Sequence, residues 1–97
     1  MNVLVLPKEL TQSQATACLR ALVQGLPLQS GPDVVVDASG LSRFDSSALA
    51  VLLEFRRETL ALGKRLTIQS LPSRLGDLAK LYGIDALLAP AAPVLVK

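Results

Sequence analysis

An α/β fold, with a mostly parallel or mixed sheet of about four strands and packed helices, is what this 97-residue chain predicts. Three observations point there. Segments of strand character alternate with segments of helical periodicity along the chain, an order that demands crossover connections. The run "DVVVDAS", residues 33 to 39, is continuously apolar and β-branched at its centre, as in a strand covered on both faces. Hydrophobic residues make up 51% of the chain but aromatic ones only 3%, so the core must be built from Leu, Val and Ala. That is apolar material for one core, and the length leaves no room for a second, so residues 1–97 are expected to form a single domain.

The elements follow in order. "NVLVL", residues 2 to 6, reads as a short strand closed by Pro7. "TQSQ", 11 to 14, has capping-box form, with Gln14 three residues after Thr11. Ala15, Cys18, Leu19, Leu22 and Leu26 then recur on one helical face that ends near Gly25 and Pro27. Cys18 on that face is expected to be a small buried hydrophobe rather than a reactive thiol. "LPLQSGPD", 26 to 33, is a loop by its glycine and proline content. After the valine strand and the loop "SGLSRFDS", a helix is predicted from Ser46 to about Leu62. Its apolar side holds positions 48, 49, 52, 55 and 60, its wet side Glu54, Arg56, Arg57 and Glu58, and Gly63 stops it. "RLTIQSL", 65 to 71, alternates as a strand does. Pro72 and Ser73 open a further helix, with Leu75, Leu78, Ala79 and Tyr82 on its core face and Gly83 at its end. A helical turn around 85 to 88 and a last strand at 94 to 96 complete the pattern.

Several function classes are disfavoured by composition. The net charge of +2 comes from scattered Lys and Arg, with neither a basic run nor aromatic platforms, so no nucleic-acid partner is expected. No apolar stretch approaches the roughly 20 residues that span a bilayer, and no secretory signal pattern opens the chain. With a single cysteine available for no internal disulfide, a cytoplasmic location is expected, without direct membrane insertion. There is no histidine, so neither a zinc site nor a histidine-based triad is expected; no metal and no cofactor are assigned.

In an open α/β sheet, functional groups collect beyond the carboxyl ends of the strands. Here that place is the loop from Asp37 to Ser47, which holds Asp37, Asp45 and hydroxyls at Ser39, Ser42, Ser46 and Ser47. Three readings fit these residues. In the structural one, Asp45 caps the following helix and Asp37 braces the loop. In the enzymatic one, Asp37 is placed like a phosphoacceptor aspartate. The acidic pair needed for magnesium is missing after "NVLVL", however, and no Walker-type glycine loop is present, so no catalytic residue is assigned. In the third, the loop is a docking surface that a phosphate on a helix-opening serine would switch, because free amides and the helix dipole favour added negative charge there.

"VVVDASGLSRFDSSALAVLLEFRRE" resembles the core of STAS domains, the fold shared by bacterial anti-anti-sigma factors and the cytosolic parts of sulfate transporters. An apolar strand ending in Asp, a short loop, and Asp-Ser-Ser opening an amphipathic helix carry the likeness. The glycine that follows in the family is Ala48 here. "FDSSALAVLL", "LGDLAKLYGI" and the bare single-domain length are most similar to the MlaB branch. The first strand of the family's usual N-terminal hairpin is missing or shortened here.

That likeness implies a non-catalytic cytosolic subunit, peripheral to the inner membrane. Its partner would be the MlaF-like ATPase of an ABC-type phospholipid transporter that maintains outer-membrane lipid asymmetry in Gram-negative bacteria. It also implies that Ser46 lies at the partner contact and is the phosphorylatable hydroxyl of the family. Arg43, Phe44, Asp45, Ser47 and Arg56 would surround it, with Phe44 either the anchor of the contact or a plug beneath the loop. The alternative implied by the same family is an anti-anti-sigma factor that binds an anti-sigma kinase through Ser46. A shortened N-terminal hairpin would leave a sheet edge open, which makes a homodimer of the isolated chain a further expectation.

Overall fold

The computed structural model describes residues 3–88. Strands β1 (Leu4–Val5), β3 (Asp33–Asp37) and β5 (Arg65–Gln69) form a parallel sheet in the order β1-β3-β5. Its register pairs Leu4 with Val36 and Val36 with Ile68. A separate parallel pair, β2 (Glu9–Leu10) with β4 (Arg43–Phe44), joins the segment after β1 to the segment before the middle helix. Helices α1 (Gln12–Gly25), α2 (Ser46–Ala61), α3 (Ser73–Leu81) and α4 (Asp85–Leu88) complete the described chain, and a single 3-10 turn, Leu26–Leu28, follows α1. The α/β class and the strand–helix alternation are borne out. The β2–β4 pair was not legible as strand. The strand expected at 94 to 96 lies outside the described residues.

The helices begin and end where local chemistry dictates. At the start of α1 the Gln14 side chain reaches back, its Oε1 accepting from the Thr11 amide at 2.9 Å and the Thr11 hydroxyl at 2.7 Å. α2 stops at Gly63, whose φ of +74° suits a residue without a Cβ. At the other end of α1, Gly25 runs so close to β1 that an added Cβ would come within 2.7 Å of the Leu4 side chain.

One aliphatic core lies between one face of the sheet and the helices. From the sheet it takes Val34, Val36 and Ile68, with Leu6 just past β1, flanked by Leu4 and Leu66. Leu22, Ala48, Leu52, Phe55, Leu75, Ala79 and Leu88 meet them from the helices. The described residues do not cover the opposite sheet face in the way the valine run predicts. Val3 and Val5 are exposed, at 40% and 64%, and Val35 is only half-buried and outside the core cluster. The β-branched run therefore reflects strand propensity at Val35 rather than burial.

Two further expectations are corrected. The buried face of α2 holds 48, 49, 51, 52, 55 and 59, so the expected 48, 49, 52 and 55 are buried, but Thr59 is enclosed, donating its hydroxyl to the Phe55 carbonyl at 2.8 Å, while Leu60 is 45% exposed. A 3.6-residue period carries position 60 off the line that 59 completes. Tyr82 does not enter the core and is 57% exposed. α3 ends at Leu81, Gly83 turns the chain at φ +73°, and half-buried Ile84 packs against the core instead.

Candidate docking site

Parallel strands bring all their carboxyl ends to one edge of the sheet, and the loops after β1, β3 and β5 gather there. Pairing of β2 with β4 sets Glu9 opposite Arg43 and Leu10 opposite Phe44. As a result the first turns of α1 and α2 become neighbours. Asp45 exploits that neighbourhood. Its Oδ1 accepts from the Ser47 amide at 2.8 Å and its Oδ2 from the Gln12 amide at 3.2 Å, so one carboxylate caps both helices. These bonds, the Ser47 amide first among them, hold its pKa below the ordinary aspartate value. Gln12 as the second donor is 33 residues away in sequence and could not be read from it.

Asp37 does what a bracing residue does. Its Oδ1 accepts from the Ser39 amide at 2.9 Å, the bond chiefly responsible for its lowered pKa. Its carbonyl receives the Leu6 amide at 3.0 Å. The loop is further tied to the segment after β1 by the amides of Ser42 and Arg43, which both donate to the Lys8 carbonyl at 2.9 and 3.1 Å. The Ser42 hydroxyl points to the same carbonyl at 3.3 Å. Among the described residues no group of three or more His, Cys, Asp or Glu side chains is arranged to hold a metal ion.

Ser46, the first residue of α2, is exposed and makes no side-chain hydrogen bond among the described residues; Ser47 is half-buried. Phe44 is half-buried and packs against the core from its edge, so it is partly plug and partly surface. Arg43 is exposed and pairs with Glu9 at 3.5 Å. Arg43, Phe44, Asp45, Ser46 and Ser47 are thus brought together as one continuous segment. Arg56 is not part of it. It lies ten residues beyond Ser46 on α2 (46 to 56), about 15 Å along the axis at 1.5 Å per residue.

Two contributors to this surface were missed by sequence reasoning. Arg74, on the first turn of α3, holds its guanidinium carbon 5.9 Å from the Phe44 ring centroid. Ser70, at the end of β5, takes a left-handed φ of 60° that turns the chain toward α3. The only sequence signal for the latter was its place between a strand and a proline-opened helix.

No helix among the described residues is long and apolar enough to cross a membrane. Cys18 is 9% exposed, and burial raises the pKa of its thiol. It lines, with Leu4, Val5, Pro7, Ala17 and Leu22, an apolar groove of about 450 Å³ between β1 and α1, away from the loop of hydroxyls. No curated protein matches the chain. The model of the family described as "Mlab, STAS domain" matches residues 2–90, nearly the whole chain. The α/β architecture, the Asp-capped middle helix and that match agree: the chain belongs to the MlaB-type STAS domain family.

Proposed function

We propose that this chain is a non-catalytic subunit that docks, through the N-terminal end of α2, on the ATPase of an ABC-type phospholipid transporter of the Mla type. The observation that carries the reading is the exposed Ser46 hydroxyl on a helix start whose other polar groups are already engaged. Asp45 is spent on two helix caps, Asp37 on its own loop, and Glu9 on Arg43. What remains outward is a hydroxyl, an aromatic edge and the Arg74 guanidinium on a rigid frame, which is suited to contact with another protein and poor in acid–base groups for chemistry.

The membership of the MlaB-type family supports the choice of an ABC ATPase as partner, and through it an inner-membrane periphery. Arg43 and Phe44 would flank the contact; Arg56, farther along α2, would orient the partner from its rim rather than tighten it.

The test is a binding titration of the purified chain against the purified ATPase subunit of the same bacterium's Mla-type transporter. Ser46→Glu is expected to weaken binding at least about tenfold, as a charge placed in a contact centre does. The circular dichroism spectrum and melting temperature should stay those of the parent. Parent-like affinity for Ser46→Glu would remove Ser46 from the contact. Binding to an anti-sigma kinase, with none to the ATPase, would replace the transporter reading by the signalling one.

A further inference from the structure

We infer that Arg74 is the electrostatic anchor of this surface and that it receives an aspartate or glutamate carboxylate of the docked ATPase. This rests on the reading that the ATPase docks here, and it names a residue and a partner chemistry that the loop sequence does not contain.

The described arginines divide cleanly. Arg43 pairs with Glu9 at 3.5 Å, Arg57 with Glu54 at 3.1 Å and Arg65 with Asp33 at 2.9 Å. Arg74 has no acidic partner among the described residues; its contact is the face of Phe44, at 5.9 Å. Phe44 immediately precedes the Asp45–Ser46 step, so the guanidinium sits on the surface that presents Ser46. Arg20 and Arg56 also lack a carboxylate, but neither is held against the loop.

The cation–π contact sets where the unpaired guanidinium is held. With its carbon 5.9 Å over the Phe44 ring and no acid paired to it, the guanidinium keeps its N–H fork available, and that fork matches the two oxygens of a carboxylate. The contact also restricts the side chain before a partner arrives, so less rotamer freedom is lost on binding. Phe44 is itself fixed by the core beneath it, which makes the support rigid. Of the acids nearby, Asp45 accepts from two backbone amides and Glu9 faces Arg43, while Asp77, one turn along α3, is exposed and makes no salt bridge with Arg74. A surface that offers a fork donor with no acidic partner, while the loop's own Asp45 and Asp37 are held by backbone amides, fits an acidic patch on the partner.

The experiment uses the complex of the full chain with the purified ATPase, titrated at low and at physiological salt. Arg74→Ala is expected to raise Kd about tenfold to thirtyfold at low salt, within the range for truncated interface arginines. Arg74→Lys should recover only part of that, because an ammonium cannot reproduce the two-pronged contact. Arg74→Glu should lose about a hundredfold and flatten the salt dependence. Arg20→Glu, on the exposed side of α1, should bind like the parent. Charge reversal of one exposed acid on the ATPase should rescue Arg74→Glu, and that rescue identifies the carboxylate. If the parent binds and Ser46→Glu weakens it while all three Arg74 variants bind like the parent, the anchor is wrong and the docking site stands. If the parent does not bind the ATPase at all, the docking reading fails and the anchor with it.

Discussion

At the scale of single residues, the site is organised by one carboxylate. Asp45 satisfies donors at the starts of α1 and α2 that would otherwise lack intrahelical partners. Because its pKa is lowered in the folded chain, the stabilisation is fully present above the ordinary aspartate value, near 3.9, and is lost as pH falls through the lower folded value. Asp45→Asn, which keeps an acceptor for a cap but cannot ionise, is therefore expected to flatten the fall in stability below about pH 4. Part of the slope should persist, carried by Asp37, which is shifted in the same direction. Chemical denaturation midpoints between acid and neutral pH check this; a slope equal to the parent's would show that Asp45 contributes nothing. The cap on α2 was legible, since Asp before Ser-Ser-Ala and an apolar run is a strong helix start. The cap on α1 was not, because it depends on a tertiary pairing of β2 with β4.

At the scale of elements, the same division recurs. Helix periodicity located α1, α2 and α3 with good boundaries, because their buried faces follow the 3.6-residue repeat. Where a local turn overruled the repeat, as at Gly83, the expectation for Tyr82 failed. The two-residue strands β2 and β4 carry no period at all, yet they carry the geometry of the site. The turn at Ser70 is another such device. Its left-handed backbone joins β5 to the helix that bears Arg74, so it helps decide where the guanidinium lies. Ser70→Val, which forces a β-branched side chain into that region, is expected to cost on the order of 1–2 kcal/mol, whereas Ser70→Gly should be tolerated. Equilibrium unfolding distinguishes the two; equal stability for both would mean that the turn is not constrained as described.

At the scale of the whole molecule, the described helices pack on one face of the sheet and support a rigid edge where the strands' carboxyl ends and the start of α2 meet. Phe55, fully buried on the core face of α2, is the largest fully buried side chain holding that arrangement. Its replacement by alanine is expected to destabilise the fold by about 3–5 kcal/mol, as read from denaturant unfolding, through lost burial and the cavity left behind. A cost below about 1 kcal/mol would contradict the packing of α2 against the sheet. The class of fold was open to sequence reading because alternation of strand and helix dictates topology. Coverage of the sheet was not, since Val35 is the same residue type whether it faces helices or not.

The most direct test of the central claim, that the end of α2 is the seat of another protein, is hydrogen exchange of the chain alone and bound to the transporter ATPase. New protection should concentrate on peptides covering residues 42–49 and 73–76. Protection confined to β1 and the outer face of α1, with those two segments unchanged, would contradict it.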